Sequence, residues 1–246
     1  MGEQETTPRS GAFPRTRWTL IASAAGDGPD ARLALENLCR VYWPPVYFFA
    51  RRRGLSHADA EDNTQAFFAE LLARGSIFSA SADKGRMRTF LLVALKRFMI
   101  NQHEKATAAK RGNGVALMPL DFGWVEGRFL PEPGHSLTPD VEFERQWALR
   151  LLDLAFDLVK RETEARGGGE LFGELQGLIC TGAASAAPYS EIAARLGMSE
   201  AGVKSAAHRL RGQFRAALRS VIAETVAEES AIDEEISHLF SVFRAP

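Results

Sequence analysis

The chain has 246 residues, 46% of them hydrophobic and 25% charged, with a formal net charge of -1. That is core material for two small domains or one large one, and no segment reaches the roughly eighteen uninterrupted apolar residues that a membrane span needs. The first residues lack the basic-then-apolar order of a signal peptide, so no membrane insertion is expected and a cytoplasmic location is.

The small net charge conceals segregation. Residues 84–111 hold eight basic side chains against Glu104, residues 195–219 hold six against Glu200, and residues 220–246 hold six carboxylates against Arg244. Two basic patches imply two contacts with a polyanion, while the acidic segments argue against nonspecific coating of nucleic acid. Cys39 and Cys180 lie far apart among apolar neighbours and read as reduced, buried thiols rather than a disulfide or a metal site.

Ala, Leu, Glu and Arg recur at three-to-four spacing and strict alternation is absent, which predicts an all-α protein. Residues 1–17, rich in Thr, Pro, Gly and Arg, are expected to form a disordered tail. Helical pattern begins near Trp18 and resumes from about Asp30 to Arg53, where Pro44 and Pro45 are expected to bend or split it. Ser56 followed by Asp59 reads as the capped start of the next helix, "DAEDNTQAFFAELL", with four carboxylates and no base. Ala60, Thr64, Phe67, Phe68, Leu71 and Leu72 supply its core stripe. Its acidic face is either an ordinary solvated one or the complement of a basic protein surface.

A loop around "SASADKGR" precedes a helix from about Met87 to Ala108. Phe90, Leu91, Ala94, Leu95, Phe98 and Met99 form its apolar stripe, which leaves Arg88, Lys96, Arg97, Asn101, Gln102 and His103 to be displayed. Lys84 and Arg86 stand in the loop before it. By itself this reads more readily as a solvated basic face than as a nucleic-acid site, and the pairing with a separate helix-turn-helix shifts that balance. From 111 to 140, nine glycines and prolines leave no room for a long regular element, so a flexible linker at 112–140 is expected to separate domains at 18–111 and 141–223.

Helix is expected from about Val141 to Arg166, near 170 to 181, near 190 to 196, and from Ser199 to about Ala223. The stretch "YSEIAARLGMSEAGVKSAAHRLRGQFRAAL" has the spacing of a helix-turn-helix: Ser190 and Ser199 as caps, Gly197 as the left-handed turn residue. Val203, Ala207, Leu210, Phe214 and Leu218 make one inward stripe on the second helix. Ser199 and Glu200 at its start, with Lys204, Ser205, His208, Arg209 and Arg211, are then expected to face outward, as in a helix that reads the major groove. A short acidic segment at 224–246, with Ile232, Ile236, Leu239 or Phe240, and Phe243 as a stripe, closes the chain.

The order "LCRVYWPPVYFFARRRGLSHADAEDNTQAFFAELL", "GRMRTFLLVALKRFMINQHEKATAAKR", then the helix-turn-helix, resembles an extracytoplasmic-function (ECF) RNA polymerase sigma factor over about residues 30–111 and 141–220. The resemblance implies a sigma-two-like and a sigma-four-like helical domain, joined by a linker that runs through core polymerase, with the C-terminal segment as an extension. It implies that the acidic helix docks on the beta-prime clamp helices through Asp62 and Gln65, with Glu61 a weaker contact, and that the beta subunit is touched as well. Ala66 stands where the family commonly carries an acidic residue. The resemblance further implies that the loop from Asp83 to Met87 holds an unstacked minus-ten base. Lys84, Arg86, Arg88, Lys96, Arg97, Asn101 and Gln102 then face minus-ten DNA, and Ser199, Glu200, Lys204, Ser205, His208, Arg209 and Arg211 face the minus-thirty-five element.

Promoter DNA and core polymerase are therefore the expected partners, with regulation by an anti-sigma factor or by self-inhibition through the acidic extension. The extension is expected to pack on its own domain, the alternative being competition with DNA. No nucleophile paired with a base, phosphate loop or metal cluster emerges, so no catalytic residue, metal or cofactor is expected. The alternative function is a one-component regulator that binds an operator through the same helix-turn-helix.

Overall fold

A computed structural model of the chain describes residues 29–73, 86–109, 137–180, 187–226 and 228–244. Among them the expected all-α class holds: eight helices, one short 3-10 turn and no strand. In chain order these are α1 (Pro29–Arg52), α2 (His57–Ala73), α3 (Met87–Ala109), α4 (Pro139–Ala165), α5 (Gly169–Cys180), α6 (Tyr189–Leu196), α7 (Glu200–Ala223), the 3-10 turn Glu229–Ala231, and α8 (Ile232–Val242). The tail at 1–17, the pattern near Trp18, Lys84 and most of the expected linker lie outside the described residues.

The hub is α4. It packs along α1 on one side and α7 on another, and also meets α3, α5 and α8. Its sequence explains this: Phe143, Trp147, Leu151, Ala155 and Val159 recur at three-to-four spacing and are all buried. Thr138 caps its start by accepting from the Val141 N–H, and Pro139 occupies the first turn, where a missing N–H costs nothing. Buried residues on both sides of the expected linker form one continuous apolar cluster, running from Leu38 in α1 through α4 to Leu239 in α8.

Pro44 and Pro45 do not split α1, which is helical throughout. A proline in a helix interior removes the hydrogen bond to the carbonyl four residues earlier and costs about 3 kcal/mol or more. Here the carbonyl that Pro44 leaves without its usual partner is that of Arg40, and it accepts from Arg150 Nε of α4 at 3.0 Å. Burial of the whole Val41–Ala50 stretch against α2 and α4 offsets the remaining cost. Cys39 sits in the same wall; burial pushes its thiol up to about 12, so it stays protonated at neutral pH.

α4 ends at the glycine run as expected. Gly167 has φ +79°, and a Cβ on Gly168 would meet Thr163 Cγ2 at 2.8 Å, so neither position accepts an ordinary side chain without strain or displacement. Replacement of Arg150 by Met keeps the apolar stem and removes the donor to Arg40. The expected loss is about 1–3 kcal/mol, the cost of a buried carbonyl left unsatisfied, read as a lower urea midpoint with an unchanged slope.

Candidate protein and nucleic-acid interfaces

The first face belongs to α2. Ser56 Oγ accepts from the Asp59 N–H at 3.2 Å and donates to Asp59 Oδ2 at 2.6 Å, the capped start expected from the sequence. Ala60, Thr64, Phe67, Phe68 and Leu71 are buried, which turns Asp62 out to solvent and leaves Glu61 and Gln65 at the half-buried margin. Glu61 lies 3.4 Å from His57 Nε2, and His57 Nδ1 lies 2.6 Å from the Tyr47 hydroxyl of α1. Among the described residues no cation pairs with Asp62. Ala66 is buried, so an acidic residue at that position would meet the core in this conformation.

The second face belongs to α3, and here the structure departs from the outward set. Arg88 is buried rather than displayed. Its Nε donates to Glu235 Oε2 at 2.9 Å, its Nη1 to Glu144 Oε1 at 2.7 Å, and its guanidinium lies 5.2 Å from the centre of the Trp147 ring. Burial works against the charge, but the Glu235 and Glu144 carboxylates outweigh it and push the Arg88 pKa up. The partners come from α8 and α4, far away in sequence, so periodicity within α3 could not reveal them.

Arg86 belongs to the same cluster. Its Nη2 is 2.5 Å from Glu234 Oε2, and its Nε is 2.5 Å from Glu235 Oε1. His238 Nε2 lies 2.9 Å from Glu144 Oε2 and completes the group. Tyr42 of α1 is fully buried beside it, and burial, reinforced by the Glu235 charge, pushes its phenol well above the ordinary range. Lys96 pairs with Asp140 at the start of α4, 2.6 Å apart and half exposed. Arg97 and Asn101 remain exposed and line a groove of about 190 Å³ with Phe67, Glu70, Phe90 and Phe98. Gln102 is half-buried.

The third face is the helix-turn-helix of α6 and α7. Gly197 has φ +62°, and its N–H and that of Met198 both return to the Ala193 carbonyl, which closes α6 and starts the turn. Ser199 caps α7 through its Oγ, accepting from the Gly202 N–H at 3.1 Å. Ser190 is not the cap of α6: Pro188 holds that position without a side-chain bond, because the helix begins one residue before the serine. Ile192, Ala193, Val203, Ala207, Leu210 and Leu218 are buried as the stripe predicts, and Phe214 is half-buried.

Glu200, Lys204, Ser205, His208 and Arg209 are exposed on α7. Glu200 and Lys204 pair at 2.7 Å, and this bond holds the ammonium above its usual range. Arg211 departs from the expected outward set. It is half-buried and donates from Nε to the Leu178 carbonyl at 3.2 Å and from Nη2 toward the Tyr189 hydroxyl at 3.5 Å. It therefore braces α7 against α5 and α6, a contact that helical spacing places one step from the exposed edge and only packing decides.

Sequence reasoning missed three acidic residues of α4, namely Asp140, Glu142 and Glu144. Glu142 is buried and accepts from Arg52 Nη2 at 3.1 Å, tying α4 to the end of α1. Their alternating spacing near the amino end was visible, but it reads equally as ordinary complement to the helix dipole. No protein-family model matches the chain, and no curated protein or solved structure matches it.

The Arg88 cluster makes a clear thermodynamic expectation. Arg88→Met leaves the Glu235 carboxylate buried with Arg86 as its one remaining arginine partner, and is expected to cost about 3 kcal/mol. Replacement of both partners, Arg88→Met with Glu235→Leu, removes both charges together and is expected to recover most of that loss. Denaturant unfolding of the two single variants and the double variant measures the coupling.

Proposed function

We propose that the chain is a promoter-specificity subunit of bacterial RNA polymerase, a sigma factor of the extracytoplasmic-function type acting in the cytoplasm. One observation carries the reading. A helix-turn-helix whose second helix exposes Lys204, Ser205, His208 and Arg209 occurs in the same chain as an α2 face whose Asp62 is uncovered. DNA and a basic protein surface ask for opposite charge, and the chain offers each on a separate helix.

In this reading α2 docks on the polymerase clamp helices and α7 enters the upstream promoter element. The exposed Arg97 and Asn101 edge of α3 faces the element that melts. Unstacking a base costs a few kcal/mol, and the groove between α2 and α3 offers both an aromatic surface and polar edges to offset it. The protein then supplies recognition rather than bond chemistry, and the reaction belongs to the polymerase. No helix among the described residues is long and apolar enough to cross a membrane.

A one-component regulator that binds an operator is the second reading. The internal pairing of Arg86, Arg88 and Lys96 favours it, since such a regulator has no need to free them. Core polymerase separates the two. Asp62→Lys combined with Gln65→Ala is expected to weaken binding of the chain to core enzyme by about tenfold, ~1.4 kcal/mol, without change in circular dichroism. A wild-type chain that fails to bind core enzyme rejects the sigma reading.

Base reading is tested on α7. Lys204→Ala and Arg209→Ala are each expected to reduce selection of an upstream element from randomised DNA. A base contact changes the selected sequence, and a phosphate contact weakens all sequences alike and lowers the salt dependence.

A further inference from the structure

The carboxylates Asp233, Glu234 and Glu235 are consecutive in the first turn of α8, and each meets an arginine. Asp233 binds Arg219 of α7, Glu234 binds Arg86, and Glu235 binds both Arg86 and Arg88. Successive helical residues are about 100° apart, so three in a row reach around one turn and touch two different neighbours. One turn of α8 thus bridges the basic start of α3 and the basic end of α7. We propose that α8 is an intramolecular latch, in which Glu234 and Glu235 occupy Arg86 and Arg88 where DNA phosphates bind and Asp233 anchors the same turn on Arg219, so that DNA binding at the start of α3 and α8 docking exclude one another. The proposal rests on the nucleic-acid reading of the start of α3.

Three features suit α8 to release. Its apolar hold is narrow: Ile232 and Leu239 are buried, Ile236 is half-buried, and Phe240 and Phe243 are 46% and 42% exposed. It meets α3 through long charged side chains rather than close backbone packing. Two of its links, Arg86 with Glu234 and Arg219 with Asp233, are surface pairs whose carboxylates are largely exposed and which salt therefore screens.

The buried pair does not forbid exchange. Breaking it by removing one partner leaves an uncompensated charge, but substituting a phosphate for the Glu235 carboxylate does not, because guanidinium accommodates either anion in the same forked geometry. Glu144 stays with Arg88 in both states, since it belongs to α4 rather than α8. Asp62 on α2 is exposed while the latch is closed. The closed chain therefore keeps its protein-docking face open and the arginines at the start of α3 occupied, while Lys204 and Arg209 of α7 and Arg97 and Asn101 of α3 stay exposed.

The test uses the full chain with Asp233→Asn and Glu234→Gln, which spares the buried Glu235. A labelled mixed-sequence single-stranded DNA is titrated at low salt, alone and with core polymerase, and amide exchange of 232–242 is followed. The variant is expected to bind DNA about fivefold more tightly, ~1 kcal/mol, with the gap closing as salt rises. In the wild type, DNA is expected to speed exchange across α8. Equal affinities, with α8 equally protected in the presence and absence of DNA, overturn the latch and leave the nucleic-acid reading standing. Failure of both proteins to bind DNA with or without polymerase overturns that reading and the latch with it. Thermal unfolding of the variant within a few degrees of wild type confirms that a gain in affinity reflects release rather than unfolding.

Discussion

The packing of α4 on α1 is the constraint from which the remaining arrangement follows. α4 must bury Phe143, Trp147 and Leu151, and α1, buried throughout Val41–Ala50, packs along it. Once they pack, the Arg40 carbonyl that Pro44 leaves open meets Arg150, and Arg52 meets Glu142. Apolar burial provides the drive, and the polar contacts set the register, because each of these buried groups is costly without its partner. The helix-turn-helix is carried on α4 as well, through α7, so both halves of the chain are referred to one helix.

That same packing places charge in the interior. Trp147 lies under Arg88, and Glu144, three residues before it, reaches the guanidinium from the side. A buried ion cluster is weak evidence for stability, since well-packed apolar residues often serve as well. It is better evidence for specificity: α8 docks where Glu235 meets Arg86 and Arg88 together. The cluster also divides the polar residues along α3 into an occupied set at its start and an exposed set, Arg97 and Asn101, further along.

Opposite charges are kept on separate helices for a physical reason. Asp62 on α2 and Lys204 and Arg209 on α7 stand on elements that pack against different neighbours, so exposed charges of opposite sign are kept apart. The acidic α8 then acts within the molecule on the basic residues nearest to it. Low net charge in this chain is thus the sum of strong local fields rather than their absence.

Much of the fold was legible because its signals are local. Helix periodicity, the Ser199 cap, the left-handed Gly197 and the glycine run after α4 each depend on residues within a few positions of one another, and the structure has them where the sequence puts them. The acidic face of α2 was legible for the same reason, since its buried stripe is continuous. What the sequence left open depends on contacts across long separations. Arg88 and Arg211 have the composition of exposed residues, and only the approach of α8, α4 and α5 turns them inward. The continuity of α1 at Pro44 is likewise supported by Arg150, 110 residues from the Arg40 carbonyl that it satisfies. Sequence determined the helices, their caps and their apolar stripes, because backbone geometry makes those properties of near neighbours. Tertiary structure alone decided which charges are spent inside the molecule, because pairing requires two distant side chains to be brought together first.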